Sequence, residues 1–135
     1  INMSMSNTAE NKVVKALLQG TDIDFRASAN LYLALFTADP TESGVFTNEA
    51  TFTGYSRVAV AKASGWTDGG STFTNASLIQ FPQCTAGNNT ITHFALCTLA
   101  SGGEIVVSGA LNASLNISSG IQAQFSAGSL SVGAD

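Results

Sequence analysis

The sequence predicts a mainly β protein, an antiparallel β-sandwich or barrel-like domain with one N-terminal α-helix and an extended N-terminal arm. Three observations carry that expectation. Apolar runs of strand length recur from about residue 30 to the end, with Gly, Pro and Asn turn signals between them. A single segment, near the N-terminus, shows helical periodicity. Ahead of it, six residues alternate apolar and polar strictly. At 135 residues and 44% hydrophobic, the chain is sized for one domain that buries roughly 70% of its unfolded surface. No stretch approaches the roughly 20 apolar residues of a bilayer span. Neither a repeat nor a linker is apparent. The expected organisation is a single domain over residues 1–135: an arm at 1–6, a helix at 8–19 and a β-rich body at 30–135.

The arm, Ile1-Asn2-Met3-Ser4-Met5-Ser6, has strand periodicity but precedes the first folded element. An apolar-faced terminal segment is suited to add a strand to a neighbour's sheet edge, which makes Ile1, Met3 and Met5 candidate interface residues; an untethered tail is the alternative. In the helix, Asn7 is the expected cap and Glu10 follows three positions later, as in a capping box. Ala9, Val13, Val14, Leu17 and Leu18 recur at helical spacing and are expected to bury a stripe against the sheet, with Gly20 as the stop.

The body follows. Leu31 to Thr37 is a continuous apolar run, expected as a strand covered on both faces. Further strands are expected at Tyr55–Lys62, Thr72–Asn75, Ser77–Phe81, Thr90–Cys97, Glu104–Gly109, Ile121–Phe125 and Leu130–Val132. Turns fall at Asp39–Gly44, Asp68–Ser71 and Gly102-Gly103.

Only 10% of the residues are charged, against roughly 25% in an ordinary soluble domain. All basic residues (Lys12, Lys15, Arg26, Arg57, Lys62) lie in the first 62 positions, and beyond them the only charges are Asp68, Glu104 and Asp135. A surface so poor in ions points to a protein covered by other protein. The net charge of −4 and the scattered cations argue against nucleic acid and anionic membrane as partners. The N-terminus lacks a basic region followed by an apolar run, so a signal peptide is not expected. Five Asn-x-Ser/Thr sequons, at Asn2, Asn75, Asn88, Asn112 and Asn116, are attributed to composition.

No chemical constellation stands out. His93 is the sole histidine and no G-x-S-x-G elbow is present, so no catalytic residue is assigned and the chain is not expected to be an enzyme. Cys84, His93 and Cys97 offer three zinc ligands without a fourth or a C-x-x-C pair, and are expected in the core. Cys84 and Cys97 are expected as buried thiols, a disulfide being open to them in an oxidising compartment. Asp22-x-Asp24 starts like a calcium loop, but Arg26 and Ala27 occupy positions that need a ligand and a glycine. Asp39, Glu42 and Glu49 are expected as solvated loop acids. The Gly-Gly pairs match no phosphate-binding pattern. No metal and no cofactor is expected. Trp66, in the polar stretch Ser64-Gly65-Trp66-Thr67-Asp68, is a candidate interface anchor, a sugar platform or a core residue at a strand end.

Four segments, in order, carry a resemblance: Ser6-Asn7-Thr8-Ala9-Glu10-Asn11-Lys12, Leu31 to Pro40 (LYLALFTADP), Gly54-Tyr55-Ser56-Arg57-Val58-Ala59-Val60, and Thr92-His93-Phe94-Ala95-Leu96. With them the chain resembles a family of small structural proteins of tailed bacteriophages, commonly labelled tail fibre-like. The resemblance implies a virion component without catalytic residues. A complete fibre needs a shaft, and no heptads, collagen-like repeat or solenoid is present. The expected role is therefore capsid decoration: a cement protein on the outer capsid surface that bridges major capsid proteins, as a homo-oligomer with a trimer favoured. A small tail-fibre or tail-tip module, contacting a receptor or another tail protein, is the alternative.

Overall fold

A computed structural model describes residues 2–133. The chain runs β1 (Asn2–Met5), α1 (Asn7–Gln19), β2 (Asn30–Phe36), β3 (Val58–Ala61), β4 (Trp66–Asp68), β5 (Thr72–Asn75), β6 (Ile79–Gln80), β7 (Asn88–Cys97), β8 (Ile105–Ser118), β9 (Gln124–Phe125) and β10 (Ser131–Gly133). Eight strands are hydrogen-bonded in the order β3-β2-β7-β8-β1-β10-β5-β4, and β6 and β9 form a two-stranded ladder of their own. All ladders are antiparallel except β1 with β10. The protein is thus mainly β with antiparallel sheets and one N-terminal helix. Among the described residues, no ladder joins β3 to β4 to close the sheet.

The first strand corrects the expectation of a free arm. Asn2 and Met3 pair with Ser131 and Val132, and Ser4 and Met5 pair with Ser108 and Val107. The alternation at the N-terminus does mark a strand, but its partners lie in the chain's own sheet, between β8 and β10. Each half of the segment is thus paired within the chain, Asn2 and Met3 to β10 and Ser4 and Met5 to β8. Ile1 lies outside the described residues.

The run from Leu31 onward behaves as expected of a strand covered on both faces. Leu33, Ala34, Leu35 and Phe36 are completely buried. Leu33 and Leu35 join the main core with Phe52, Phe81, Phe94, Ile91 and Phe125. Ala34 and Phe36 face the other way, into a smaller cluster with Ala95, Cys97 and Ile105. The sheet ladder β2–β7 keeps these two sets apart, because alternate side chains of a strand leave opposite faces.

Several boundaries move. The predicted strand at Tyr55–Lys62 shrinks to β3, the Tyr55 amide being used in a turn that closes on the Phe52 carbonyl. By contrast β8 runs to Ser118, well past Gly109, through the hydroxyl-rich stretch from Leu111. Its pairing with β7 slips between Ile91 and His93, whose partners are Leu115 and Ala110, so residues 111–114 bulge opposite a single residue. Trp66–Asp68, not foreseen as a strand, pairs with β5.

Asn75 shows how polar groups are spent inside this body. It is buried, donates from Nδ2 to the Ser77 and Ser126 carbonyls at 2.9 Å each, and accepts from the Leu130 amide at 3.0 Å. Its sequon is therefore committed to the interior. Both cysteines are free and buried. Burial pushes the Cys97 thiol up to about 12, which keeps it protonated and inert.

Two outcomes follow. Asn75→Ala removes three hydrogen bonds and leaves the buried Leu130 amide without a partner, at a cost of about 2–4 kcal/mol, measurable by urea unfolding. Native protein offers neither thiol to an aromatic disulfide reagent, and both react once it is unfolded in denaturant.

Candidate interaction surface

Helix α1 is capped by Ser6 rather than Asn7. Ser6 is buried, its Oγ accepts from the Ala9 amide at 3.1 Å and donates to the Ile105 carbonyl at 2.7 Å, so the cap also ties the helix to β8. Gly20 ends the helix as expected, in the left-handed region at φ 68°. The inward side is not the one expected. Ala9 is buried, Lys12, Val13 and Ala16 are half-buried, and Val14, Leu17 and Leu18 are 50%, 78% and 79% exposed. The body side is set by Ala9, whose small side chain lets the helix approach, and by Lys12. The Lys12 ammonium bonds to Glu104, on the loop before β8, and to Asp24 at 2.9 Å, and it lies over the Phe25 ring. At 100° per residue, that choice leaves Val14 and Leu18 turned away from the body.

Close by is an apolar hollow of about 310 Å³, lined by Leu31, Leu96, Trp66, Phe73, Val132 and the stem of Lys62. Phe73 is 41% exposed there. Trp66 is half-buried and packs against the core, as a strand-end core residue would, while still lining this opening. Lys62 donates to the Phe25 carbonyl, and to Arg26 and Ser28 at 3.2 and 3.1 Å. Its ammonium lies 5.7 Å from the centre of the Phe25 ring, which Lys12 approaches at 5.4 Å. Lys12 of the helix and Lys62 of the hollow thus share one aromatic ring.

The strongest polar constellation is built for holding loops. Arg57, whose side chain is only 4% exposed, donates from Nε and Nη2 to the two Glu49 oxygens at 2.7 and 2.8 Å. Its Nη1 donates to the Leu99 and Gly102 carbonyls at 2.8 Å each, and the guanidinium lies over the Phe46 ring. Tyr55 donates to Glu49 at 2.5 Å and accepts from the Leu35 amide. Glu49, expected as a solvated loop acid, is thus the centre of a partly buried network. Burial pushes its carboxyl up, but the bonds from Arg57 and Tyr55 and the guanidinium charge outweigh it, and the carboxyl sits below its ordinary value. Burial and the neighbouring carboxylate push the Tyr55 phenol up.

Asp39 and Glu42 are exposed, as expected of solvated loop acids, whereas Asp22 and Asp24 are engaged. Asp22 pairs with Arg26 at 2.7 Å and Asp24 with Lys12, so the resemblance to a calcium loop dissolves into two ion pairs. Among the described residues, no group of three or more His, Cys, Asp or Glu side chains gathers to hold a metal ion. His93 sits in mid-sheet, paired in register with Phe36 and Ala110, its Nδ1 2.8 Å from the Thr92 hydroxyl. Of the predicted interface residues, Met3 is placed by its backbone beside Val132, Met5 packs half-buried against the core, and Trp66 lines the hollow. The structure does not gather Met5 and Trp66 into one open patch. The exposed apolar residues that it does reveal include Phe73 and also Val14, Leu17 and Leu18, which were expected to be buried against the sheet.

The molecule is thus a mainly β body with an exposed apolar row on its helix and with four of its five basic residues bonded to its own acids and loops. The chain matches the family described as Podophage GP4 fiber I protein gp80 over residues 4–133. It therefore belongs to this family of phage fibre proteins and is a structural component of the virion, as the resemblance in its motifs implied. A search of curated proteins found no match.

Replacing Glu49 by Gln costs about 3 kcal/mol at neutral pH, because Arg57 is left buried without its countercharge. The folded carboxyl is depressed, so its contribution is full above the ordinary carboxylate value of about 4.3 and disappears as pH falls through the lower folded value. Thermal unfolding of both proteins from pH 7 to pH 2 should show the gap narrowing only below about pH 4.

Proposed function

We infer that the protein is a tail-fibre module of the phage particle, a stiff β body that is built into the fibre assembly through its apolar helical end. The observation that carries this reading is the row Val14, Leu17 and Leu18, open to solvent in a member of a fibre family. Apolar side chains left exposed at the end of a helix gain roughly 1.5–3 kcal/mol each when covered. The family description speaks of a fibre, and so favours the tail over the capsid-cement role that compactness alone suggested.

The remaining features support a mechanical, non-catalytic part. Four of the five basic residues are bonded to carboxylates or carbonyls of the chain itself, leaving little positive charge for nucleic acid or anionic lipid. The turn at residues 62–65 joins the two outermost strands of the eight, which favours a sheet wrapped round its core as an open barrel. Such a wrapped sheet shields its edges from unwanted pairing.

Gold labelling of an epitope-tagged copy in intact particles, with gel quantification against the major capsid protein, tests the assignment. Label confined to the tail, at a copy number far below that of the capsid protein, is the expected result. Label spread evenly over the shell at near-capsid stoichiometry would return the protein to the decoration role.

A further inference from the structure

We propose that the hollow beside the bulge of β8 is a saccharide site, which takes one neutral sugar ring presented at the end of a glycan. The site stands whether the protein sits on the tail or on the shell. It also gives a use to the charge-poor, hydroxyl- and amide-rich second half of the chain.

Residues 111–114 stand opposite a single residue of β7, and a bulge of this kind turns side chains out of the regular pleat. Between the bulge and the segment from Gln124 to Ser129 lies a hollow of about 230 Å³. Its floor is carbon: Leu111 and Leu115 are half-buried against the main core, and Phe125 is buried within it. Its rim is amide and hydroxyl, with Asn112, Gln124 and Ser126 all exposed. The volume falls below the roughly 300 Å³ at which pockets for drug-sized ligands begin, which limits the occupant to a single ring.

Three features select a neutral polyol among small ligands. The first is hydrogen-bonding capacity. Gln124 accepts from Gln80 Nε2 at 3.2 Å through Oε1, which leaves its own Nε2 to donate, and Asn112 brings a second exposed amide from the bulge. Amides and hydroxyls offer donors and acceptors side by side, as the adjacent hydroxyls of a sugar do. The second is Ser129. Its Oγ is closed to solvent and has no hydrogen-bond partner, alone among the buried side-chain nitrogen and oxygen atoms of the described residues. A hydroxyl buried without a bond is costly, and because Ser129 lines the hollow, a hydroxyl that enters supplies the missing partner. The third is charge. None of the lining residues is ionic, and the sequence carries no charge between Glu104 and Asp135. An ionic ligand pressed in here loses water without gaining a countercharge. A neutral sugar brings hydroxyls for the rim and a C–H face for Leu111 and Leu115.

Titration of the isotope-labelled chain, followed by amide NMR, tests the site. The probes are the methyl glycosides of glucose, galactose and mannose, and those of their uronic acids as charged counterparts. At least one neutral probe is expected to shift the amides of residues 111–115 and 124–129 saturably, with a Kd of roughly millimolar. Its uronic acid should bind at least about tenfold more weakly. Ala113→Trp, which fills the mouth of the hollow from an exposed position, should abolish the shifts without moving the unfolding curve. Ser129→Ala should weaken binding several-fold and leave the unfolding curve in place or move it to higher denaturant, since it removes an unbonded hydroxyl. No saturable shift with any neutral probe overturns the proposal. So do equal affinity for a sugar and its uronic acid, binding indifferent to Ala113→Trp, and a Ser129→Ala chain that binds as before or unfolds more easily. These measurements use the isolated chain, so their failure leaves the labelling result on particles untouched, and label on the shell would overturn the fibre reading without touching the saccharide site.

Discussion

Everything in the molecule hangs on where its first strand lies. Four residues, Asn2 to Met5, bridge two ladders: the first two pair with β10 and the last two with β8. Without them the β2-β3-β7-β8 group and the β4-β5-β10 group have no hydrogen-bonded connection in the sheet order. The same strand fixes the helix that follows. Its next residue, Ser6, is held through its amide to Val106 and through its hydroxyl to Ile105. α1 is therefore set against the end of β8, and Lys12 finds Glu104. With one side of the helix so fixed, the stripe of Val14, Leu17 and Leu18 faces outward as a geometric consequence.

The second constraint is economy of charge. The chain has few ions and spends them inward. Arg57 binds a carboxylate and the carbonyls of a hairpin loop, Lys62 binds the carbonyls of the loop after the helix, and Lys12 joins that loop to β8. Each cation thus ties down an irregular segment, Lys12 through two carboxylates and Arg57 and Lys62 through backbone carbonyls as well. The low ionic content of the second half is intelligible in the same terms. Its loops are held by amides, with Asn75 in the 75–77 turn and Asn89 bonded to the Thr51 and Phe52 amides.

How much of this could be read from sequence depends on range. Local signals served well: β2 and β5 fall almost where periodicity put them, Gly20 stops the helix, and the family motifs identify a virion component. Partner identity did not follow from periodicity. The alternation at Asn2–Met5 marks a strand equally well whether it pairs at home or abroad, and only the register with Ser131 and Ser108 decides. An amphipathic stripe likewise says that a helix has an apolar side, and Val14, Leu17 and Leu18 would read the same beneath a sheet or beneath a second protein. The Glu49–Arg57 pair joins residues eight apart across an irregular loop, where no period exists to announce it. Nor did any local feature forecast that β8 would continue through Asn112–Ser114, since a bulge lets polar residues remain in strand conformation without a face to bury.

Four residues thus decide the structure: the N-terminal segment is a structural member of the body, and the exposed apolar row lies on the helix after it. Hydrogen–deuterium exchange of the peptide covering residues 2–6 in the intact protein measures this directly. Slow exchange, matching that of the neighbouring β8 amides, is expected of a strand bonded to β10 through its first half and to β8 through its second. Exchange at the rate of an unstructured peptide, with β8 and β10 remaining protected, would show that the body closes without it and would contradict the account at its root.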